Sequence, residues 1–139
     1  MVQPALRVET GEVPVRVVVA DDNADIRMML RAYLEADGRF TVMGEAADGD
    51  EVVRVVAATN PDVIILDLYM PDVGGLEAIP QLRARSRSMK IIVYTAYAAA
   101  AIVRAALTLG ADAVVRKGVP MAELVDTVDR LYPVGPGVG

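Results

Sequence analysis

The stretch Pro61 to Ile79, PDVIILDLYMPDVGGLEAI, decides the fold. Within it Val63-Ile64-Ile65-Leu66 is short, wholly apolar and mostly β-branched, the pattern of a central strand covered on both faces. It stops abruptly at Asp67. A loop, LYMPDVGG, follows, and Leu76, Ile79 and Leu82 then recur at helical spacing. Pro80 lies inside that pattern and forfeits a backbone hydrogen bond, so a kink or a late helix start is expected there.

Working outward from this strand, the same rhythm repeats. Toward the C terminus, Ile91 to Thr95 is another central strand, and Ala98 to Leu109 is helical by composition, closed by Gly110. Ala113-Val114-Val115 is a fifth strand, and Pro120 opens a last helix whose apolar stripe is Met121, Leu124, Val125, Val128 and Leu131. Toward the N terminus, Val15 to Ala20 (VRVVVA) is the first strand. After Asp21-Asp22-Asn23, residues Ile26, Met29, Leu30, Tyr33 and Leu34 mark a helix that Asp37-Gly38 stops. Phe40 to Glu45 alternates as an edge strand does, and Asp48-Gly49 opens a helix carrying Val52, Val53 and Val56, closed by Asn60-Pro61. Strand and helix alternating five times give an α/β doubly wound architecture, a mainly parallel five-stranded sheet with helices on both faces.

Composition narrows the chemistry. With no cysteine and no histidine among 139 residues, thiol nucleophiles, Cys- or His-ligated metals, Ser-His-Asp hydrolysis and any histidine base are excluded. Carboxylates outnumber Lys and Arg by 19 to 14, for a net charge of −5, which argues against non-specific nucleic-acid or anionic-membrane binding. Every apolar run is broken well short of the roughly 18 residues of a membrane span. Residues 1–12, MVQPALRVETGE, do not read as a signal peptide and are expected to be a flexible lead-in. A single domain is expected over 13–132, the tail 133–139, PVGPGVG, is expected to be a flexible linker, and the location is expected to be cytoplasmic.

In a parallel sheet the residues that follow the strands emerge on one edge, where open α/β folds place ligands. Here they are Asp21 and Asp22, Asp67, Thr95 and Lys117. Each has an ordinary explanation taken singly: the acidic pair caps a helix, Asp67 begins a loop, Thr95 satisfies a strand end, and Lys117 snorkels. Together they call for another account, because acid, acid, hydroxyl and amine fall in turn at four strand ends. Clustered carboxylates repel, and a divalent cation relieves the repulsion; an all-oxygen donor set favours Mg2+. Asp67 can then act as nucleophile toward a phosphoryl group, with Thr95 and Lys117 stabilising its equatorial oxygens.

These residues strongly resemble the receiver domain of bacterial two-component response regulators. VVVADDN, PDVIILDLYMPDVGGLEAI, IIVYTA and GADAVVRKG occur in the right order and spacing from about Val13 to Leu131, and GEAADG is most similar to receivers that precede a helix-turn-helix output domain. The resemblance implies a flavodoxin-like (CheY-like) fold with strand order 2-1-3-4-5 and five helices, and Asp67 as phosphoacceptor. It implies Asp22 as a direct Mg2+ ligand, Asp21 acting through water, and the Tyr69 carbonyl completing the protein's share of the metal site. Thr95 would hydrogen-bond the phosphoryl group and Lys117 would pair with one of its oxygens. The phosphodonor would be a sensor histidine kinase.

The chain departs from the family pattern at three places. Val114 stands where an aromatic switch residue is usual, and Gly118 follows Lys117 where many relatives have proline. Tyrosines stand two residues after Asp67 and two after Thr95, Tyr69 and Tyr97, and are expected to shield an acyl phosphate from water. From Ala98 to Leu109 the only polar side chains are Arg104 and Thr108. That face is either simply Ala-rich helix or a homodimer surface shared with the fifth strand and fifth helix. Three rival readings stand beside it: an aspartyl phosphatase, whose second acid this sequence replaces with Tyr69; a flavin or nucleotide carrier, whose Gly-rich phosphate loop does not follow the first strand here; and a phosphorylation-independent interaction module.

Overall fold

The computed structural model describes residues 13–132, so the lead-in expected over 1–12 and the tail expected over 133–139 lie outside the described residues. Five strands, β1 (Val15–Ala20), β2 (Phe40–Ala46), β3 (Val63–Leu66), β4 (Lys90–Thr95) and β5 (Ala113–Arg116), form one parallel sheet in the order β2-β1-β3-β4-β5. The helices are α1 (Ala24–Asp37), α2 (Gly49–Thr59), α3 (Gly75–Arg85), α4 (Ala100–Leu109) and α5 (Met121–Leu131).

The alternation of side chains along the strands builds two cores. Val17, Val19, Ile65, Ile92 and Tyr94 face α1 and α5, packing on Leu30, Leu34, Leu124 and Val128. Val18, Ala20, Ile64, Leu66, Ile91 and Val93 face α2, α3 and α4, packing on Val52, Val56, Ile79, Leu82 and Ala106. Every residue of β3 is buried, which is what an all-apolar strand in the middle of a two-sided sheet requires. At the edge, β2 alternates from Phe40 to Met43 and then bulges: Val17 pairs with Val42 but Val18 with Gly44, so the strand runs on to Ala46.

Three local details go beyond the sequence pattern. First, α3 begins at Gly75 and continues through Pro80 to Arg85, so the helix does not start late. Its N-terminus is set by Glu77, whose Oε1 accepts the Gly74 N–H at 2.9 Å. Second, α4 begins at Ala100 rather than Ala98, because Ala99 is extended and the Tyr97 N–H is turned back onto Thr95 Oγ1 at 3.4 Å. Third, the acidic pair does not cap α1. Asn23 does: its Oδ1 accepts the N–H groups of Asp25 (2.8 Å) and Ile26 (3.3 Å), leaving both aspartates to other work. No helix among the described residues is long and apolar enough to cross a membrane.

Candidate functional site

The carboxyl ends of β1, β3, β4 and β5 bring the expected residues together. Asp21, Asp22 and Asp67 each offer a carboxylate oxygen within 4.8 Å of the others. Asp21 and Asp67 are buried and Asp22 is exposed, so the cluster opens to solvent at Asp22. Lys117 Nζ lies 2.6 Å from Asp21 Oδ2 and 3.3 Å from Asp67 Oδ2, bridging the buried pair. The Asp67 backbone N–H is held by the Ala20 carbonyl at 2.9 Å, and its Oδ1 accepts the Tyr69 N–H at 3.3 Å.

Burial raises the Asp67 pKa above the ordinary carboxylate range and the nearby Asp21 charge adds to the rise, against the opposing pull of Lys117 and the Tyr69 N–H. Burial pulls Lys117 down, but its hydrogen bond to Asp21 and the charges of Asp67 and Asp21 outweigh that, so its ammonium is held above its usual value. The ammonium also stands 5.9 Å from the centroid of the buried Tyr94 ring, a cation–π distance. Thr95 is fully buried and its hydroxyl accepts the Tyr97 N–H. That leaves its hydroxyl proton without an acceptor among the described residues.

Close backbone packing shapes the loop after β3. A Cβ on Gly75 would lie 2.2 Å from the Asp67 carbonyl oxygen, so only glycine lets α3 begin against the site. Across the sheet, Gly118 takes φ 105, the left-handed conformation that glycine adopts freely, with no cis peptide among the described residues. Val114 is partly buried against the α3–α4 core, and no aromatic ring stands at that strand position.

A family model described as the response regulator receiver domain matches residues 17–129. The chain belongs to that family. The receiver domain is 38% identical over 114 residues to the transcriptional regulatory protein LiaR of Bacillus subtilis, covering 82% of this chain and 54% of that protein. It is 35% identical over 117 residues to the transcriptional regulatory protein PdtaR of Mycobacterium tuberculosis, covering 84% and 56%. Among solved structures it superposes on a LuxR-family two-component response regulator from Aurantimonas sp. SI85-9A1 with a TM-score of 0.81 at 30% identity, covering 86% of this chain and 85% of that one. The chain spans about half the length of the curated relatives it matches. It is thus a response regulator receiver domain of two-component signalling, as the motif order implied.

Sequence reasoning missed three contributors. Tyr94 reads as an ordinary strand residue, and only the packing shows its ring beside Lys117. Arg27 and Glu45 were also passed over: Arg27 Nη1 donates to the Asp21 carbonyl at 2.6 Å and Nε to Glu45 Oε1 at 3.1 Å. A signal existed, since a cation in the second turn of a helix stands near the positive end of its dipole and invites an explanation.

Proposed function

We propose that Asp67 accepts a phosphoryl group from a phosphohistidine of a sensor histidine kinase in a Mg2+-dependent reaction, and that the aspartyl phosphate switches the domain's associations. The observation that carries this reading is the buried Asp67 carboxylate sharing one ammonium with Asp21 and an oxygen cluster with Asp22. The donor set fits the cation: three carboxylates and a single amine leave negative charge uncompensated, and oxygen donors suit a hard ion. Asp21, Asp22, Asp67 and the Tyr69 carbonyl would hold it. Bound Mg2+ supplies positive charge toward the oxygens of the phosphoryl group.

An Asp67 carboxylate oxygen attacks phosphorus; the O–P bond forms as the P–N bond of the donor breaks, and that electron pair returns to the departing imidazole. Lys117 transfers its hydrogen bonding from the Asp67 carboxylate to a phosphoryl oxygen. The Thr95 hydroxyl donates a hydrogen bond to another. The domain catalyses only its own phosphorylation and dephosphorylation. Asp, Thr and Lys assembled with complementary bonding do not favour a phosphorylation-independent module.

The proposed setting is the cytoplasm. The proposed output is transcription regulation, as in the relatives' names, with DNA contacted by residues other than these. The α4, β5 and α5 face is proposed as a homodimer surface: Ala106 is the one buried residue of α4, while Leu107 and Leu109 are exposed. Intact-protein mass after incubation with Mg2+ and an acyl phosphate tests the phosphoacceptor. One added phosphoryl group, absent without Mg2+ and absent in Asp67→Asn, is expected; addition to Asp67→Asn would overturn the assignment. Equal self-association with and without a phosphoryl analogue would overturn the dimer surface.

A further inference from the structure

The exposed Asp22 side chain makes no hydrogen bond or ion pair among the described residues, so its position follows from the backbone that carries it. That backbone is tied at Asp21 from every direction. The Asp21 N–H donates to the Ala46 carbonyl at 3.0 Å, its Oδ1 accepts the Asn23 N–H at 3.0 Å, and its Oδ2 accepts from Lys117. The remaining group is the Asp21 carbonyl, which belongs to the peptide plane joining Asp21 to Asp22. Its partner is Arg27 Nη1, at 2.6 Å.

We propose that Arg27, held by Glu45, is a positioning residue for the metal-binding acidic pair. The inference rests on the reading of the Asp21, Asp22 and Asp67 cluster as a Mg2+ site. Arg27 sits in α1, and helical side chains lean toward the N-terminus, which brings its guanidinium back over the β1–α1 turn. The planar fork then does what a lysine cannot: Nη1 fixes the Asp21–Asp22 peptide while Nε is held by Glu45 on β2. Two neighbouring strand ends are thereby locked in one geometry.

Glu45 has a second role, which is electrostatic. An arginine this close to a cation site would repel the ion, but Glu45 Oε1 lies 3.1 Å from Arg27 Nε and Oε2 lies 2.8 Å from Arg31 Nε. Two carboxylates, Glu45 and Glu35, balance the two guanidinium groups, so Arg27 orients the acidic pair at little cost in repulsion. Arg31 anchors the far side of Glu45 and also reaches Glu35 at 3.4 Å; it bonds none of the site carboxylates. It therefore reaches the acidic pair only through Glu45.

The experiment is a titration of the full chain with Mg2+ alone, followed by the backbone amide resonances of residues 20–24, alongside thermal unfolding. Arg27→Met is expected to weaken Mg2+ binding roughly tenfold. Arg27→Lys, which can reach the carbonyl but not bridge, is expected to recover only part. Glu45→Gln is expected to weaken binding too, less so at high salt, and the two losses are expected to be non-additive. Arg31→Met, which releases only the far side of Glu45 and leaves the Arg27 bond to the Asp21 carbonyl in place, is expected to weaken Mg2+ binding less than Arg27→Met does. Phosphorylation of Arg27→Met by an acyl phosphate is expected to be slow at low Mg2+ and restored at saturating Mg2+. Mg2+ affinity of Arg27→Met equal to wild type would overturn the positioning role while leaving the metal site standing. Absence of Mg2+ binding by the wild-type chain would overturn the site reading and this inference with it.

Discussion

Lys117 Nζ stands 2.6 Å from Asp21 Oδ2, closer than the 3.3 Å that separates it from Asp67. The ammonium is thus anchored chiefly at the end of β1 and shared with the end of β3. Lys117→Met would leave two buried carboxylates without their cation. The expected loss is about 3 kcal/mol of stability at pH 7, measured by urea unfolding, and Mg2+ should recover part of it. The sign follows from the raised Lys117 pKa: this stability is present below the unfolded lysine value and is lost as pH climbs through the folded one.

Asp67→Asn is expected to act in the opposite direction. Burial and the Asp21 charge raise the Asp67 pKa, so the folded state holds its proton more tightly than the unfolded chain and the ionised form is a cost at neutral pH. In the presence of a chelator the variant should be more stable than wild type at pH 7, with the gap closing in acid. Mg2+ should raise the wild-type melting temperature more than the variant's.

The Tyr69 and Tyr97 rings meet edge to face, 5.6 Å between centroids and inclined by 72°. Their backbone N–H groups bond Asp67 and Thr95, so the pair joins the two loops beside the site. If the rings slow water's approach to the acyl phosphate, Tyr69→Ala or Tyr97→Ala should lose it faster. Breaking a contact of about 1 kcal/mol corresponds to roughly fivefold, and the double variant should add little more. Decay of the phosphorylated mass with time is the measurement; variants no faster than wild type would refute the shielding.

Gly75→Ala should damage both stability and site. The added Cβ would lie 2.2 Å from the Asp67 carbonyl oxygen and 2.8 Å from Leu68 Cα, both backbone atoms that cannot swing aside. A loss of about 2 kcal/mol or more is expected, together with slower phosphoryl uptake. At Gly74 a Cβ would reach 3.1 Å from the Leu68 carbonyl oxygen, so Gly74→Ala should be milder.

Glu45 supplies the clearest acid-side dependence. The hydrogen bond from Arg31 pulls its pKa below the ordinary value, and Arg27 adds to this, while burial opposes them. A depressed acid stabilises the fold above its unfolded pKa, and that contribution disappears as pH falls through the folded one. Glu45→Gln should cost less than about 1 kcal/mol at pH 7, because the side chain is 31% exposed and the pair is screened. Wild type and variant should converge in urea unfolding only as pH falls through the lowered Glu45 pKa.

Much of the fold and site was legible in the sequence. Val63-Ile64-Ile65-Leu66 could only be a strand buried on both faces, and the order of apolar runs and helical periods places Asp21, Asp22, Asp67, Thr95 and Lys117 at successive strand ends on one edge. Those features are local: they depend on side-chain period and on where a run stops. The helix boundaries at Pro80 and Ala98 were less legible, since a capping bond from Glu77 and a turned-back Tyr97 amide decide them.

What only the tertiary structure decided is which particular atoms meet, within the β1–α1 turn and across elements distant in sequence. Nothing in the order of residues says that Asn23 rather than Asp21 or Asp22 caps α1, that Lys117 favours Asp21 over Asp67, that Tyr69 touches Tyr97, or that Arg27 spans from the Asp21 carbonyl to Glu45. The physical reason is that strand period determines which face a residue occupies. Angstrom-scale distances between residues tens of positions apart are set by how the sheet pairs and the helices pack upon it.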